Sequence, residues 1–235
     1  MVQETVIIFG GSSGIGEATA KHLLTEGFRV MIVARDRSRL EAARSRLGGV
    51  ETASVDATDR AAVAAFFEHV GSFQHLVLSI SGGKGAGPFG KLSLDDLRSG
   101  MERKFFAQAN VAQCALANLV GGSITFVSAG SARVAMPGTA GLAAINGAIE
   151  AAVRTLAKEL APTRVNAVSP GIIDTPWWDA MPKDFKENAF KQTAERLPVR
   201  RVGRSEDVAQ AIAFLIHNGF VTGTVVEVDG GGHLG

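Results

Sequence analysis

Apolar residues fall in two alternating rhythms along this chain. Short unbroken runs such as Thr5-Val6-Ile7-Ile8-Phe9 and Val30-Met31-Ile32-Val33-Ala34 are each followed by a stretch with apolar residues at helical spacing. Unbroken runs bounded by turn residues read as strands buried on both faces, and the wider spacing reads as helices with one buried face. The rhythm predicts strands near 5–9, 29–34, 51–55, 75–80, 122–128, 164–169 and 224–228, and helices near 14–26, 37–47, 59–69, 93–119, 139–160 and 205–217. Asp59 and Ser93 stand where helix caps are useful, and Ser205 with Asp207 opens the last helix in the same style. Strict alternation over 235 residues, with no linker or repeat, implies one α/β domain with a parallel sheet covered on both faces. Only 172–203 breaks the rhythm, with Pro176, Trp177, Trp178, Pro182 and Pro198 between a strand and a helix.

The first strand runs into Gly10-Gly11-Ser12-Ser13-Gly14-Ile15-Gly16, and the first helix begins there. Glycines in a strand-to-helix turn allow a sharp bend and close approach of a pyrophosphate, while the helix N-terminus supplies free N–H groups and the positive end of its dipole. An ordinary strand-to-helix turn is the bland alternative, which the alternating context disfavours. Lys and Arg number 24 against 23 Asp and Glu, a net charge of +1, so nothing favours nucleic acid or an anionic membrane surface. No apolar run approaches the ~18 residues that span a bilayer. Cys114 is the only cysteine and the chain start carries no secretory pattern, so a cytoplasmic protein is expected. No metal site is read.

The glycine spacing resembles that of the short-chain dehydrogenase/reductase family. Asp56 after the third strand, Ser81-Gly82-Gly83 after the fourth, Ser169-Pro170-Gly171-Ile172-Ile173-Asp174-Thr175 after the sixth and the ending Gly223–Gly232 recur in the family's order. The resemblance covers essentially the whole chain and implies a single-domain Rossmann fold with a doubly wound seven-stranded parallel sheet, with 172–203 as a lid over the substrate. It also implies a nicotinamide dinucleotide held by Gly10, Ser12, Ser13, Gly14, Ile15 and Gly16, by Asp56-Ala57 at the adenine, by backbone near Gly82, and by Pro170, Gly171, Ile173 and Thr175 at the nicotinamide. Where NAD-preferring members carry Asp, this chain has Ala34 followed by Arg35, a guanidinium suited to a 2′-phosphate, so NADP(H) is expected over NAD(H). Arg37 and Arg39 either add positive field or are solvated, and Asp36 points to solvent or caps the next helix.

The catalytic positions depart from the resemblance. Family members use a Tyr-x-x-x-Lys pair, a Ser before it and an Asn on the fourth helix, and this chain has no tyrosine. Leu142 falls at the tyrosine position, Asn146 at the lysine, Ala129 (between Ser128 and Ser131) at the serine, and Lys104 at the asparagine. Lysine and asparagine have exchanged helices, so an ammonium still reaches the site if the register holds; Lys104 reads equally as one member of a solvated Glu-Arg-Lys run. Lys104, Ser128, Ser131 and Asn146 are the residues expected to line the reaction centre. The five histidines are expected on outer elements or at the chain end, with His233 able to reach a neighbouring subunit. The resemblance implies a dimer or tetramer, and small residues such as Ala109, Ala112, Ala148 and Ala151 on the fourth and fifth helices allow close helix approach, though they could equally pack on the sheet. Two functions remain open, an oxidoreductase for a small carbonyl or alcohol with an unusual proton path and a catalytically silent NADP(H)-binding relative; a non-redox enzyme on the same fold is a third.

Overall fold

The computed structural model describes residues 3–234. Seven parallel strands form one sheet in the order β3-β2-β1-β4-β5-β6-β9: β1 Thr5–Phe9, β2 Arg29–Ala34, β3 Glu51–Ser54, β4 Phe73–Leu78, β5 Leu119–Val127, β6 Arg164–Pro170 and β9 Val225–Val228. The order reverses between β1 and β4, and the crevice outside the carboxyl ends of these strands is where such sheets bind ligands. Within β1, Ile7 and Phe9 pack to one face and Val6 and Ile8 to the other, as a strand's two-residue period requires. One face carries α3 Arg60–Val70, α5 Ala107–Ala115 and α6 Ala140–Glu159, with Phe9, Phe67, Phe73 and Ile124 fully buried beneath them. The other carries α1 Gly14–Thr25, α2 Arg37–Leu47 and α8 Ser205–His217 over Ile8, Leu23, Ile32 and Leu215. Each such buried side chain contributes about 2 kcal/mol, which is what holds a sheet this apolar between two helical layers.

The long fourth helix is interrupted. α4 Leu94–Met101 passes into a π turn at Glu102–Phe106 before α5 resumes. In the segment after β6 the structure adds elements that its prolines concealed: a two-stranded pair of β7 Ile173–Asp174 with β8 Gly203–Arg204, a 3-10 turn at Pro176–Ala180, and α7 Lys183–Arg196. No residue of α7 is buried, so it left no hydrophobic stripe to read.

Asp59 and Ser93 cap as expected, accepting from the N–H of Ala62 and Asp95. Asp36 also caps, accepting from Arg39 N–H at 3.1 Å. The last helix differs from expectation: Arg204 is its N-cap, Ser205 is already helical, and Asp207 accepts from Arg204 N–H at 2.7 Å. His75 corrects the reading of the histidines as outer residues. It lies on the central strand β4, 4% exposed, bonded to Ser123 Oγ and Glu4, and burial holds its imidazole below the ordinary value against the pull of Glu4.

Candidate active site

The glycine turn closes the crevice between β1 and β4. Gly10 has φ +83° and a Cβ there would overlap the Ser79 carbonyl, so only glycine lets the turn lie against the end of β4. Ser13 is the N-cap of α1 yet makes no capping bond with its side chain, which leaves its hydroxyl and the helix N-terminus available to an anion. Thr175 lies against the same turn, its Cβ 3.5 Å from the position a Gly14 side chain would start from. An open cavity of about 490 Å³ lies between the turn, α2 and the segment after β6, lined by Ser12, Ser13, Arg39, Arg46, Pro176 and Asp179. Arg39 therefore faces the cleft region, whereas Arg46 is held bidentately by Glu17.

Asp56 sits at the end of β3. Burial works against its charge, but the N–H and hydroxyl of Thr58 donate to it at 2.9 and 2.8 Å and Arg35 and Arg103 lie near, so its carboxyl is held below the usual range. Asn110 Nδ2 donates to Ala57 O at 2.9 Å and fixes this turn to α5. The donors around the glycine turn, the free Ser13 hydroxyl and the Arg35 charge beside Asp56 fit a dinucleotide.

On the other side of the crevice the π turn delivers Lys104. Its Nζ donates to Ser128 O at 3.0 Å, at the carboxyl end of β5, and the position of a Gly82 side chain would be 3.2 Å from Lys104 Cβ. Part of the residue stays open to solvent, but its ammonium is enclosed by protein. Burial pulls its pKa down from 10.5 to about 8, and the Glu150 carboxylate limits the fall. Asn146 lies on α6, 3% exposed, with Nδ2 donating to Leu142 O at 2.9 Å and to Ser131 Oγ at 3.1 Å. The side-chain oxygen Oδ1 is buried and has no partner among the described residues.

The structure gathers Lys104, Asn146 and Ser131 near the carboxyl end of β5. Ser128 needs correcting: its hydroxyl turns away, donating to Glu150 Oε1 at 2.7 Å with Val168 O at 3.2 Å, and only its carbonyl serves the site. Glu150 was not foreseen. It also accepts from Ser169 Oγ at 2.8 Å and from Arg133 Nε at 2.8 Å, and Arg133 continues to Glu227 at 2.7 Å. The signal was present in the sequence, since Leu142, Asn146 and Glu150 share one face of α6 and two polar residues on a buried stripe demand partners. Gln108, four residues beyond Lys104, is likewise buried and donates to Ile80 O and Val127 O. His233 approaches Asp229 and Glu227 of its own chain at 2.9 Å, and the bond to Asp229 raises its pKa.

A doubly wound sheet with a glycine turn at its switch point is the architecture of a Rossmann-type nucleotide-binding fold. The sequence profile of the enoyl-(acyl carrier protein) reductase family matches residues 10–233. A 3-oxoacyl-[acyl-carrier-protein] reductase of Rattus norvegicus is 33% identical over 95% of both chains. A small-chain dehydrogenase solved in complex with NADPH superposes with a TM-score of 0.87 at 35% identity, covering 99% of this chain and 100% of its own. A short-chain type dehydrogenase/reductase from Mycobacterium ulcerans gives 0.90 at 28% identity, over 98% and 90%. The chain belongs to the short-chain dehydrogenase/reductase family. Among the described residues no helix is long and apolar enough to cross a membrane.

Proposed function

We propose that the protein is an NADP(H)-dependent reductase acting on a small carbonyl-type substrate or its alcohol, with Lys104, Ser131 and Asn146 lining the reaction centre. The observation that carries this reading is the Lys104–Ser128 bond, which keeps an enclosed cation at the nicotinamide side of the crevice although the family lysine position holds Asn146. A bound reduced nicotinamide would supply hydride. The protein's own part is to hold it: the α1 N-terminus with Ser12 and Ser13 at the phosphates, Arg35 at the 2′-phosphate, Asp56 at the adenine and Thr175 at the carboxamide. Lys104 supplies a positive charge beside the ribose, and Ser131 offers a hydroxyl for orienting substrate. The NADPH complex of one relative supports the choice of NADP(H).

The second reading is a silent NADP(H)-binding relative, favoured by Leu142 and Ala129, which leave the tyrosine and serine positions without a polar atom. Assembly into a dimer or tetramer belongs to the same proposal. Calorimetric titration with NADPH, NADP, NADH and NAD decides the nucleotide question. NADP(H) should bind tightest, and Arg35→Ala should weaken it by about tenfold or more while leaving NADH affinity unchanged, the loss of one charged hydrogen bond. If no nucleotide binds, the redox reading falls.

A further inference from the structure

We infer that the acceptor this site takes is a cationic C=N group, an iminium, in preference to a neutral ketone. The inference rests on the proposed redox reading and names its substrate class. Reduction of a ketone places negative charge on oxygen, which must be met by a hydrogen-bond donor and then by a proton. The side chains at the two positions that would meet it, Leu142 and Ala129, have no polar atom, and the chain holds no tyrosine.

Asn146 adds a feature of the opposite sign. Leu142 O can only accept, so the amide atom 2.9 Å from it must be nitrogen, and the orientation of the side chain is fixed. Both hydrogens of Nδ2 are then used, by Leu142 O and Ser131 Oγ, and Oδ1 is left as a buried acceptor without a donor among the described residues. An unpaired buried acceptor is costly and is satisfied by a ligand that brings an N–H or a positive charge. It would repel a developing alkoxide. Ser131 can orient a polar atom through its hydroxyl, but a hydroxyl is a weak acid. Arg133 is paired with Glu150 and Glu227, and Glu150 acts through space on Lys104, which offsets part of the positive charge around the site.

The chemistry then closes without an acid. One C–H bond forms on the iminium carbon with hydride from a reduced nicotinamide, the π pair of C=N withdraws onto nitrogen, and the cation becomes a neutral amine with no proton taken up. The same transfer to a ketone leaves an alkoxide that still needs a proton.

Two ligands of nearly the same shape test this on the full chain loaded with NADP: the N-methyldihydroisoquinolinium cation, whose charge no pH removes, and the neutral ketone α-tetralone. Calorimetry should show the cation binding more tightly by about tenfold or more, with that preference reduced in Asn146→Leu, the scale of one interaction with a charged partner. Under NADPH the cation should be converted to its N-methyl amine, identified by mass spectrometry, while tetralone is returned unchanged. Equal or tighter binding of tetralone, with its reduction, overturns the inference and leaves the redox reading standing. Failure of both ligands to bind the NADP-loaded protein also overturns it. The comparison of ligands on the unaltered protein decides the matter even if Asn146→Leu does not fold, and absence of NADP binding, seen in the separate nucleotide titration, removes both readings.

Discussion

Lys104→Met tests the enclosed ammonium directly. The variant keeps a flexible stem of similar length and removes the charge. In the folded protein the lysine titrates at about 8, against 10.5 in a solvated chain. At about 1.4 kcal/mol per pH unit that gap amounts to about 3 kcal/mol. The sign follows from proton counts. Below pH 8 both states are protonated and the full cost of enclosing the cation is present; between 8 and 10.5 the unfolded chain binds the extra proton, so wild-type stability gains as pH rises. The bond to Ser128 O is lost in the variant at every pH below the folded pKa, at about 1–3 kcal/mol, so absolute stabilities mix two effects. The pH dependence of the difference separates them. Urea unfolding followed by circular dichroism at intervals from pH 7 to 10 should show the stability of the variant relative to wild type falling by up to about 3 kcal/mol as pH rises. Other lysines cancel in the difference, and with no tyrosine in the chain no phenol titrates in the same interval. A difference that stays flat with pH would refute an enclosed, depressed lysine.

Glu150→Gln removes the charge that limits the fall of the Lys104 pKa, so the transition in the same difference experiment should move below pH 8; an unmoved transition would mean the two groups do not interact. The same variant leaves Arg133 with only Glu227 and should cost about 2 kcal/mol or more in urea unfolding at pH 7. Gly10→Ala, which places a methyl into the Ser79 carbonyl at positive φ, should lower thermal stability by about 2 kcal/mol or more and abolish nucleotide binding. His75 is held below its ordinary value of 6.5, so below that pH the unfolded chain takes the proton first and stability falls as pH drops; His75→Gln should flatten that acid limb, as read by unfolding between pH 7 and 5.

Much of the fold was legible because parallel strands buried on both faces must be continuously apolar, and Val6–Phe9 and Val30–Val33 could be little else. The order of elements and the glycine turn followed from the same rhythm. The π turn at Glu102–Phe106 was not legible, since its widening depends on what Lys104 and Gln108 meet on β5 and after β4. α7 was hidden because an exposed helix has no apolar stripe to betray it. In the candidate site the placing of Lys104 beside the end of β5 and of Asn146 beside Ser131 could be read from position. That Ser128 turns to Glu150 could not, because the choice between two nearby serines depends on a carboxylate 22 residues away.

The pairing of α1 with α8 ties the beginning of the chain to its end. Val208, Ile212 and Ile216 of α8 share a core with Leu23 and Ala20 of α1, and β9 closes the sheet beside β6 only after them. During synthesis the first helix therefore leaves the ribosome with its apolar flank bare and stays so until α8 has followed. A nascent chain arrested before Ser205 would display that flank to chaperones, and a product shortened at its C-terminus would be marked for proteolysis by a surface belonging to its N-terminus.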